Sequence, residues 1–257
     1  MNTRPDHRRS IAMVSYKNTL PFLYGFKHKD GAEAAFDLSL YNPALCAKAY
    51  LDGKVDISLV PAAFLQSVPG AKVITDYCIA ADGPVNSVCL LSNTPIHNIT
   101  QVILDDHSIT SNALVKILCR ELWEIAPNYT KKDVSLGYNL TDKSSGVVMI
   151  GDKVFEFESQ FRYKYDLAEH WKKLTNLPFV FAVWIANESV PQESIDQLNA
   201  ILTLGVNNID TIVEDLSNQG LDYETYLKFN LKYNFTDEYK QGLKMYLDLI
   251  PQMSPTH

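Results

Sequence analysis

The fold of this chain is decided by the stretch Val14-Ser15-Tyr16-Lys17-Asn18-Thr19-Leu20-Pro21-Phe22-Leu23. A short apolar run, Ile11 to Val14, leads into it and predicts a β-strand. Pro21 suits the first turn of a helix, because its missing N–H would have no partner there. The polar residues between them therefore lie where a strand gives way to a helix, which is where open α/β sheets bind their ligands. An ordinary polar loop is the alternative.

Strand and helix signals alternate along the rest of the chain. Asn42 and Pro43 predict the start of a helix that ends at Gly53. The segment Val55 to Val60 alternates like a strand, and the almost wholly apolar run Phe179 to Ala186 is typical of a central strand. This alternation of strands with helices predicts an α/β fold.

The domain organisation has to be inferred without a linker signal. The 257 residues suffice for one large or two small domains, and no Gly/Ser-rich segment separates them. Two apolar strand regions flank a middle set of strands and helices. We therefore predict that residues 10–92 and 187–257 form one lobe and residues 93–186 the other. The chain is expected to cross on extended segments near Leu91 to Pro95 and Trp184 to Asn187.

Composition limits the class of partner. The net charge is −7 and no dense run of Lys or Arg occurs, which argues against a nucleic-acid-binding protein. No apolar window approaches the length of a membrane span, and the apolar run after the polar N-terminus is too short for a signal-peptide core. We therefore expect a cytoplasmic protein, unless a signal was removed, that acts on a small molecule. The oligomeric state is not predicted.

Metal and nucleotide motifs do not fit this sequence. The four cysteines are far apart and form no C-x-x-C pair, which favours buried free thiols. The six histidines are scattered, with no H-E-x-x-H motif. Gly146 and Gly151 resemble the ends of a phosphate loop, but Lys153 does not directly follow the second glycine. We therefore expect neither a metal nor a cofactor.

A candidate anion site lies at Ser108-Ile109-Thr110-Ser111. The strand predicted over Gln101 to Leu104 precedes it, and a helix with an apolar face follows it. Unpaired N–H groups and the positive end of the helix dipole attract anions at such a position. The alternative is simple helix capping by Thr110 and Ser111.

Three further turns carry candidate groups. Gly83-Pro84-Val85-Asn86-Ser87 either presents a hydroxyl and backbone donors to a ligand or forms a tight turn in which Gly83 supplies a special backbone angle. Pro61 marks another strand-to-helix turn. Asp152 follows the apolar strand Val147 to Ile150 and is either an acid or base or a helix N-cap. The residues alone therefore predict a two-part α/β protein that binds a small polar ligand.

The assembled turns resemble the chorismate dehydratase family of the futalosine route to menaquinone. The matching segments run in family order within residues 11–190, and the helical tail is less distinctive. They are Val14 to Pro21, Gly53 to Pro61, Gly83 to Val88, Leu104-Asp105 with Ser108 to Ser111, Ile150 to Asp152, Tyr165 to Leu167 and Leu177 to Trp184.

The resemblance implies a fold like that of type II periplasmic binding proteins, in which two α/β lobes close over a ligand in the cleft between them. It also implies a lyase that dehydrates chorismate to 3-[(1-carboxyvinyl)oxy]benzoate by removing the ring hydroxyl and the neighbouring ring hydrogen. The matching turns offer Ser, Thr, Tyr and Asn but no strong base. We therefore predict substrate assistance, in which the enolpyruvyl carboxylate of chorismate takes the ring proton.

Roles for individual residues follow from this resemblance. We predict that Asn18 and Ser87 are catalytic, that they flank the reacting face of chorismate, and that neither is the base. One departure from the family concerns Ile109, because the family usually has Arg there, and Lys17 is a candidate substitute for its charge. Substrate binding is predicted for Ser15, Tyr16, Pro61, Gly83, Ser108, Thr110, Ser111 and Asp152.

Two other functions are compatible with the sequence. The sister enzyme 1,4-dihydroxy-6-naphthoate synthase shares the fold, but its first motif resembles Ser-Pro-Cys-Pro-Asn-Asp, whereas this chain has Ser15 to Thr19 in its place. A non-catalytic binding protein for small anions is the second alternative. The missing signal peptide and the absence of a lipoprotein cysteine near the N-terminus count against it.

Overall fold

The structure is a computed structural model that describes residues 8–106, 108–133, 144–216 and 222–250. Its strands form two sheets, one of six strands and one of five. Helices pack against both sheets, so the predicted α/β fold with two lobes is confirmed. Residues 217–221 and 251–257, which the sequence assigns to the first lobe, lie outside the described residues.

The elements follow the chain in a mixed order. The strands are β1 Arg9–Val14, β2 Phe36–Tyr41, β3 Ile57–Pro61, β4 Val73–Ala81, β5 Val88–Ser92, β6 Gln101–Asp105, β7 Asn128–Lys132, β8 Ser145–Ile150, β9 Tyr163–Asp166, β10 Phe179–Ala186 and β11 Lys232–Asn234. The helices are α1 Leu20–His28, α2 Ala32–Ala35, α3 Pro43–Leu51, α4 Ile109–Glu121, α5 Asp152–Phe157, α6 Leu167–Thr175, α7 Gln192–Asn207, α8 Ile209–Leu216 and α9 Asp237–Leu249.

Each sheet combines parallel and antiparallel pairs. The first has the order β11-β4-β10-β3-β1-β2, in which β1 lies parallel to β2 and β3 while β10 runs antiparallel to β3 and β4. The second has the order β7-β6-β8-β5-β9, in which β6 lies parallel to β7 and β8 while β5 runs antiparallel to β8 and β9. The apolar strand β10 lies inside the first sheet, as its sequence predicts.

The boundaries between the two lobes differ from those that the sequence predicts. The sequence places β5 in the first lobe, but this strand pairs with β8 and β9 in the second sheet. It places β10 in the second lobe, but β10 pairs with β3 and β4 in the first sheet. The chain therefore crosses from one sheet to the other at residues 82–87 and returns at residues 176–178, instead of near residues 92 and 187. Both strands are short and largely apolar, so composition alone does not distinguish between the two sheets.

Most local signals are confirmed. Asn42 caps α3, since its side chain accepts a hydrogen bond from the N–H of Leu45 at 2.9 Å. The first turn of α4 differs from the prediction, because the helix begins at Ile109 with Ser108 at the N-cap position. Thr110 and Ser111 therefore lie inside the helix and do not cap it.

Helices α1 and α7 approach each other closely at two glycines. A Cβ atom at Gly205 would lie 1.7 Å from the carbonyl oxygen of Pro21, and one at Gly25 would lie 2.1 Å from that of Ile201. No side chain fits at either distance. This contact holds the helix that follows the organising stretch against the first lobe.

Candidate active site

A cavity lies between the two sheets, where their strand ends meet. The carboxyl ends of β1 and β3 reach it from the first sheet, and the end of β8 and the start of β5 reach it from the second. It holds about 630 Å³ of empty space, counting its open mouth. The lining residues are Val14, Tyr16, Asn18, Thr19, Pro43, Leu59, Pro61, Ile79, Val85, Ser87, Val88, Ser108, Thr110, Ser111, Ile150, Gly151, Phe181, Ala182 and Leu231.

The cavity brings together seven of the ten predicted site residues, namely Tyr16, Asn18, Pro61, Ser87, Ser108, Thr110 and Ser111. Ser15, Gly83 and Asp152 are not among its lining residues. Ser15 is exposed, and its N–H donates to the carbonyl oxygen of Tyr41 at 2.9 Å. Gly83 has a φ of 112°, which supports the alternative of a tight turn with a special backbone angle, and its contact with substrate stays a prediction.

Asn18 lies in the turn Lys17–Thr19 between β1 and α1. The buried hydroxyl of Thr19 holds this turn by donating to the carbonyl oxygens of Val14 and Tyr16, at 2.7 and 2.8 Å. The Oδ1 atom of Asn18 is buried and has no hydrogen-bond partner among the described residues. A buried acceptor without a partner is costly, so this atom is suited to a donor that a ligand brings.

Tyr16 packs across the cleft against the second lobe. A Cβ atom at Gly151 would lie 3.5 Å from ring carbons of Tyr16, so the ring sits directly over the start of α5. Burial raises the pKa of Tyr16 to about 12, and the negative charges of Asp105 and Asp152 add to this effect. The phenol therefore stays protonated at neutral pH and remains a hydrogen-bond donor.

Ser87 lies in the crossing segment just before β5 and is buried. Its carbonyl oxygen accepts a hydrogen bond from the N–H of Gly151 at 2.7 Å. Its hydroxyl lies 3.0 Å from the hydroxyl of Tyr226, which donates to it. Sequence analysis missed Tyr226, because the helical tail contains no motif that distinguishes one tyrosine from another.

The first turn of α4 contributes three hydroxyl groups with different surroundings. The Oγ1 atom of Thr110 accepts from the N–H of Ala63 at 3.2 Å and donates to the carbonyl oxygen of Phe181 at 3.4 Å. Thr110 therefore ties α4 to the first lobe. The hydroxyls of Ser108 and Ser111 have no hydrogen-bond partner in the described part of the chain. Both residues remain available to a ligand.

Asp152 is the first residue of α5 and follows Gly151, so it is not the N-cap of that helix. Burial raises the pKa of this carboxyl, while the charge and the backbone N–H of Lys17 partly oppose the shift. Its Oδ1 atom is buried without a hydrogen-bond partner among the described residues. Lys17 and Asp152 thus face each other from opposite lobes beside the cavity.

The cavity itself has a neutral lining. None of the described residues that line it is Asp, Glu, His, Lys or Arg. Lys17, the candidate substitute for the family arginine, is not among the lining residues, and its Nζ atom lies 5.6 Å from the centre of the Tyr223 ring. The polar side chains that line the cavity are therefore hydroxyls and one amide.

Comparison with known proteins assigns the family. A family model described as menaquinone biosynthesis matches residues 9–252. The chain belongs to this menaquinone biosynthesis family. The match extends beyond residue 190, so the helical tail that supplies Tyr226 and Leu231 is part of the family fold.

One sequence relative agrees with this assignment, and two solved structures share the fold. The chain is 26% identical over 264 aligned residues to a chorismate dehydratase of Thermus thermophilus, covering 93% of this chain and 94% of that protein. It is similar in structure to a protein of Archaeoglobus fulgidus, with a TM-score of 0.75, 13% identity and coverage of 96% and 97% of the two chains. A Candida albicans protein with the generic periplasmic binding protein fold matches with a TM-score of 0.66, 10% identity and coverage of 98% and 92%. These likenesses show the two-lobed binding-protein fold for this member of the family.

No helix in the described residues has the length and apolar character that a membrane crossing needs. The cytoplasmic location of the protein stays a prediction.

Proposed function

We propose that this member of the menaquinone biosynthesis family is a lyase that dehydrates chorismate to 3-[(1-carboxyvinyl)oxy]benzoate. The observation that carries the proposal is the neutral cavity in which Asn18, Ser87 and the first turn of α4 meet. The similarity to a chorismate dehydratase over nearly the whole chain supports the choice of substrate.

A dicarboxylate needs favourable sites for two negative charges. In this proposal, one carboxylate of chorismate binds at the N-terminus of α4, where unpaired N–H groups and the helix dipole favour an anion. The free hydroxyls of Ser108 and Ser111 donate to it there. The apolar lining, which includes Val14, Leu59 and Phe181, excludes water and so strengthens these interactions.

The reaction breaks a ring C–H bond and the neighbouring C–O bond, and the ring becomes aromatic. In the proposed mechanism, the enolpyruvyl carboxylate of the substrate takes the ring proton. The electron pair of the C–H bond forms the new ring double bond, and the hydroxyl group leaves, so that water is released overall. The neutral lining supports this choice, since the described residues that surround the cavity supply no strong base.

The roles of the two catalytic residues follow from their hydrogen-bonding capacity. An amide both donates and accepts, so Asn18 can orient the enolpyruvyl carboxylate through its N–H₂ group while Oδ1 accepts from the substrate. Ser87 donates to the departing hydroxyl. Holding the carboxylate against the ring hydrogen is the main contribution of the protein, because alignment of the reacting groups lowers the barrier.

Incubation with chorismate tests the proposal directly. We expect the purified protein to consume chorismate and release the benzoate product, followed by chromatography and ultraviolet absorbance. Recovery of unchanged chorismate would overturn the assignment, and calorimetric binding without turnover would indicate the solute-binding function instead. A matched control is the Asn18→Ala variant, which should bind the product but turn over chorismate slowly.

A further inference from the structure

The C-terminal turn Thr225–Asn230 holds the crossing segment that carries Ser87. It is a π-helical turn, a rare conformation that often occurs at functional sites. Tyr226 donates to Ser87, and Asn230 donates to the carbonyl oxygen of Pro84 at 3.1 Å. The side chain of Asn86 donates in turn to Oδ1 of Asn230 at 3.2 Å. Three hydrogen bonds therefore join one turn to one side of the cavity.

The direction of the bond between Tyr226 and Ser87 follows from burial. Tyr226 is 2% exposed, and the ring of Phe155 packs edge-on against it with the ring centres 5.3 Å apart. Burial raises the pKa of Tyr226, so the phenol keeps its proton. The Oγ atom of Ser87 is the acceptor that this proton reaches among the described residues. If Ser87 donated instead, the phenol proton would be left buried without an acceptor, which costs free energy.

This direction determines what Ser87 can do. Because its oxygen accepts from Tyr226, the serine keeps its own proton for another acceptor. Ser87 lines the cavity, whereas Tyr226 does not. The serine proton is therefore available to a ligand on the cavity side.

We propose that Tyr226 is a positioning residue that orients the Ser87 hydroxyl as a donor toward the departing hydroxyl group of the substrate. The proposal rests on the function proposed above and adds a residue that does not touch the substrate. Its effect on the reaction is exerted wholly through Ser87.

The test compares Tyr226→Phe with a matched control, Tyr233→Phe. Tyr233 is also buried, but its hydroxyl has no hydrogen-bond partner among the described residues, and it does not line the cavity. We expect Tyr226→Phe to lower kcat roughly tenfold with little change in KM, as for the loss of one hydrogen bond that acts in the transition state. Tyr233→Phe should keep the wild-type kcat.

A double-mutant cycle separates positioning from a general structural effect. In a Ser87→Ala background, Tyr226→Phe should cause no further loss of kcat, because the group that it orients is gone. Thermal melting of each variant confirms that the protein is folded in the assay. Equal kcat for Tyr226→Phe and Tyr233→Phe, or a further tenfold loss in the Ser87→Ala background, would overturn the positioning role alone. A wild-type protein that leaves chorismate unchanged would overturn the proposed function, and this role with it.

Discussion

Replacing Thr110 by valine and Ser111 by alanine separates stability from ligand binding at the first turn of α4. The two hydroxyls are neighbours in sequence, but among the described residues only that of Thr110 has a hydrogen-bond partner. Thr110→Val keeps the side-chain shape and leaves the buried N–H of Ala63 without its acceptor. An unsatisfied buried donor costs about 1–3 kcal/mol. At about 2–4 °C per kcal/mol for a chain of this size, the melting temperature should fall by roughly 2–12 °C.

Ser111→Ala should have little effect on stability but should weaken ligand binding. It removes a hydroxyl that bonds to no described residue, so no buried partner is left unsatisfied, and the loss in free energy of unfolding should be smaller than that for Thr110→Val. If Ser111 donates to a substrate carboxylate, the loss of a hydrogen bond to a charged group costs about 1.5–3 kcal/mol. The dissociation constant should then rise by roughly 10- to 150-fold.

Two assays test this pair of variants. Thermal denaturation without ligand gives the stability change, and calorimetry with the aromatic product gives affinity without turnover. Wild-type affinity of Ser111→Ala would refute the placement of a carboxylate at this hydroxyl. A loss of stability in Ser111→Ala equal to that in Thr110→Val would refute the distinction between a bonded and a free hydroxyl.

Four further variants test the remaining reasoning. Asn18→Ala and Ser87→Ala should each lower kcat much more than they weaken product binding, as measured by steady-state kinetics and calorimetry; near-normal kcat in both would contradict their catalytic roles. Asp152→Asn should retain turnover, and its loss in a folded, ligand-binding variant would make Asp152 the candidate base. Because burial raises the folded-state pKa of Asp152, the ionised carboxylate opposes folding above that pKa. The variant should therefore melt higher than wild type at neutral pH, and this gain should vanish below the unfolded-state pKa. Gly205→Ala should destabilise the protein by about 1–3 kcal/mol in chemical denaturation, because its Cβ would overlap the carbonyl oxygen of Pro21.

The sequence by itself determined the local elements and the edge of the sheet at which the cavity lies. Proline at a helix start, asparagine at the cap of α3 and the apolar run of β10 are all encoded within a few residues. Such signals depend on short-range backbone geometry and hydrogen bonding, so they can be identified without knowledge of the fold. The same reasoning brought seven of the ten predicted site residues to the cavity, because parallel strands end at one edge.

Only the tertiary structure decided which strands share a sheet and what each polar group contacts. β5 and β10 have similar apolar sequences, and long-range pairing places them in opposite sheets from those predicted. The different surroundings of Thr110 and Ser111 depend on Ala63 and on Phe181, which are distant in sequence. The contact of Tyr226 with Ser87 joins residues 139 positions apart. A hydrogen bond between such distant residues leaves no periodic or local pattern in the sequence, so it becomes visible only when the chain is folded.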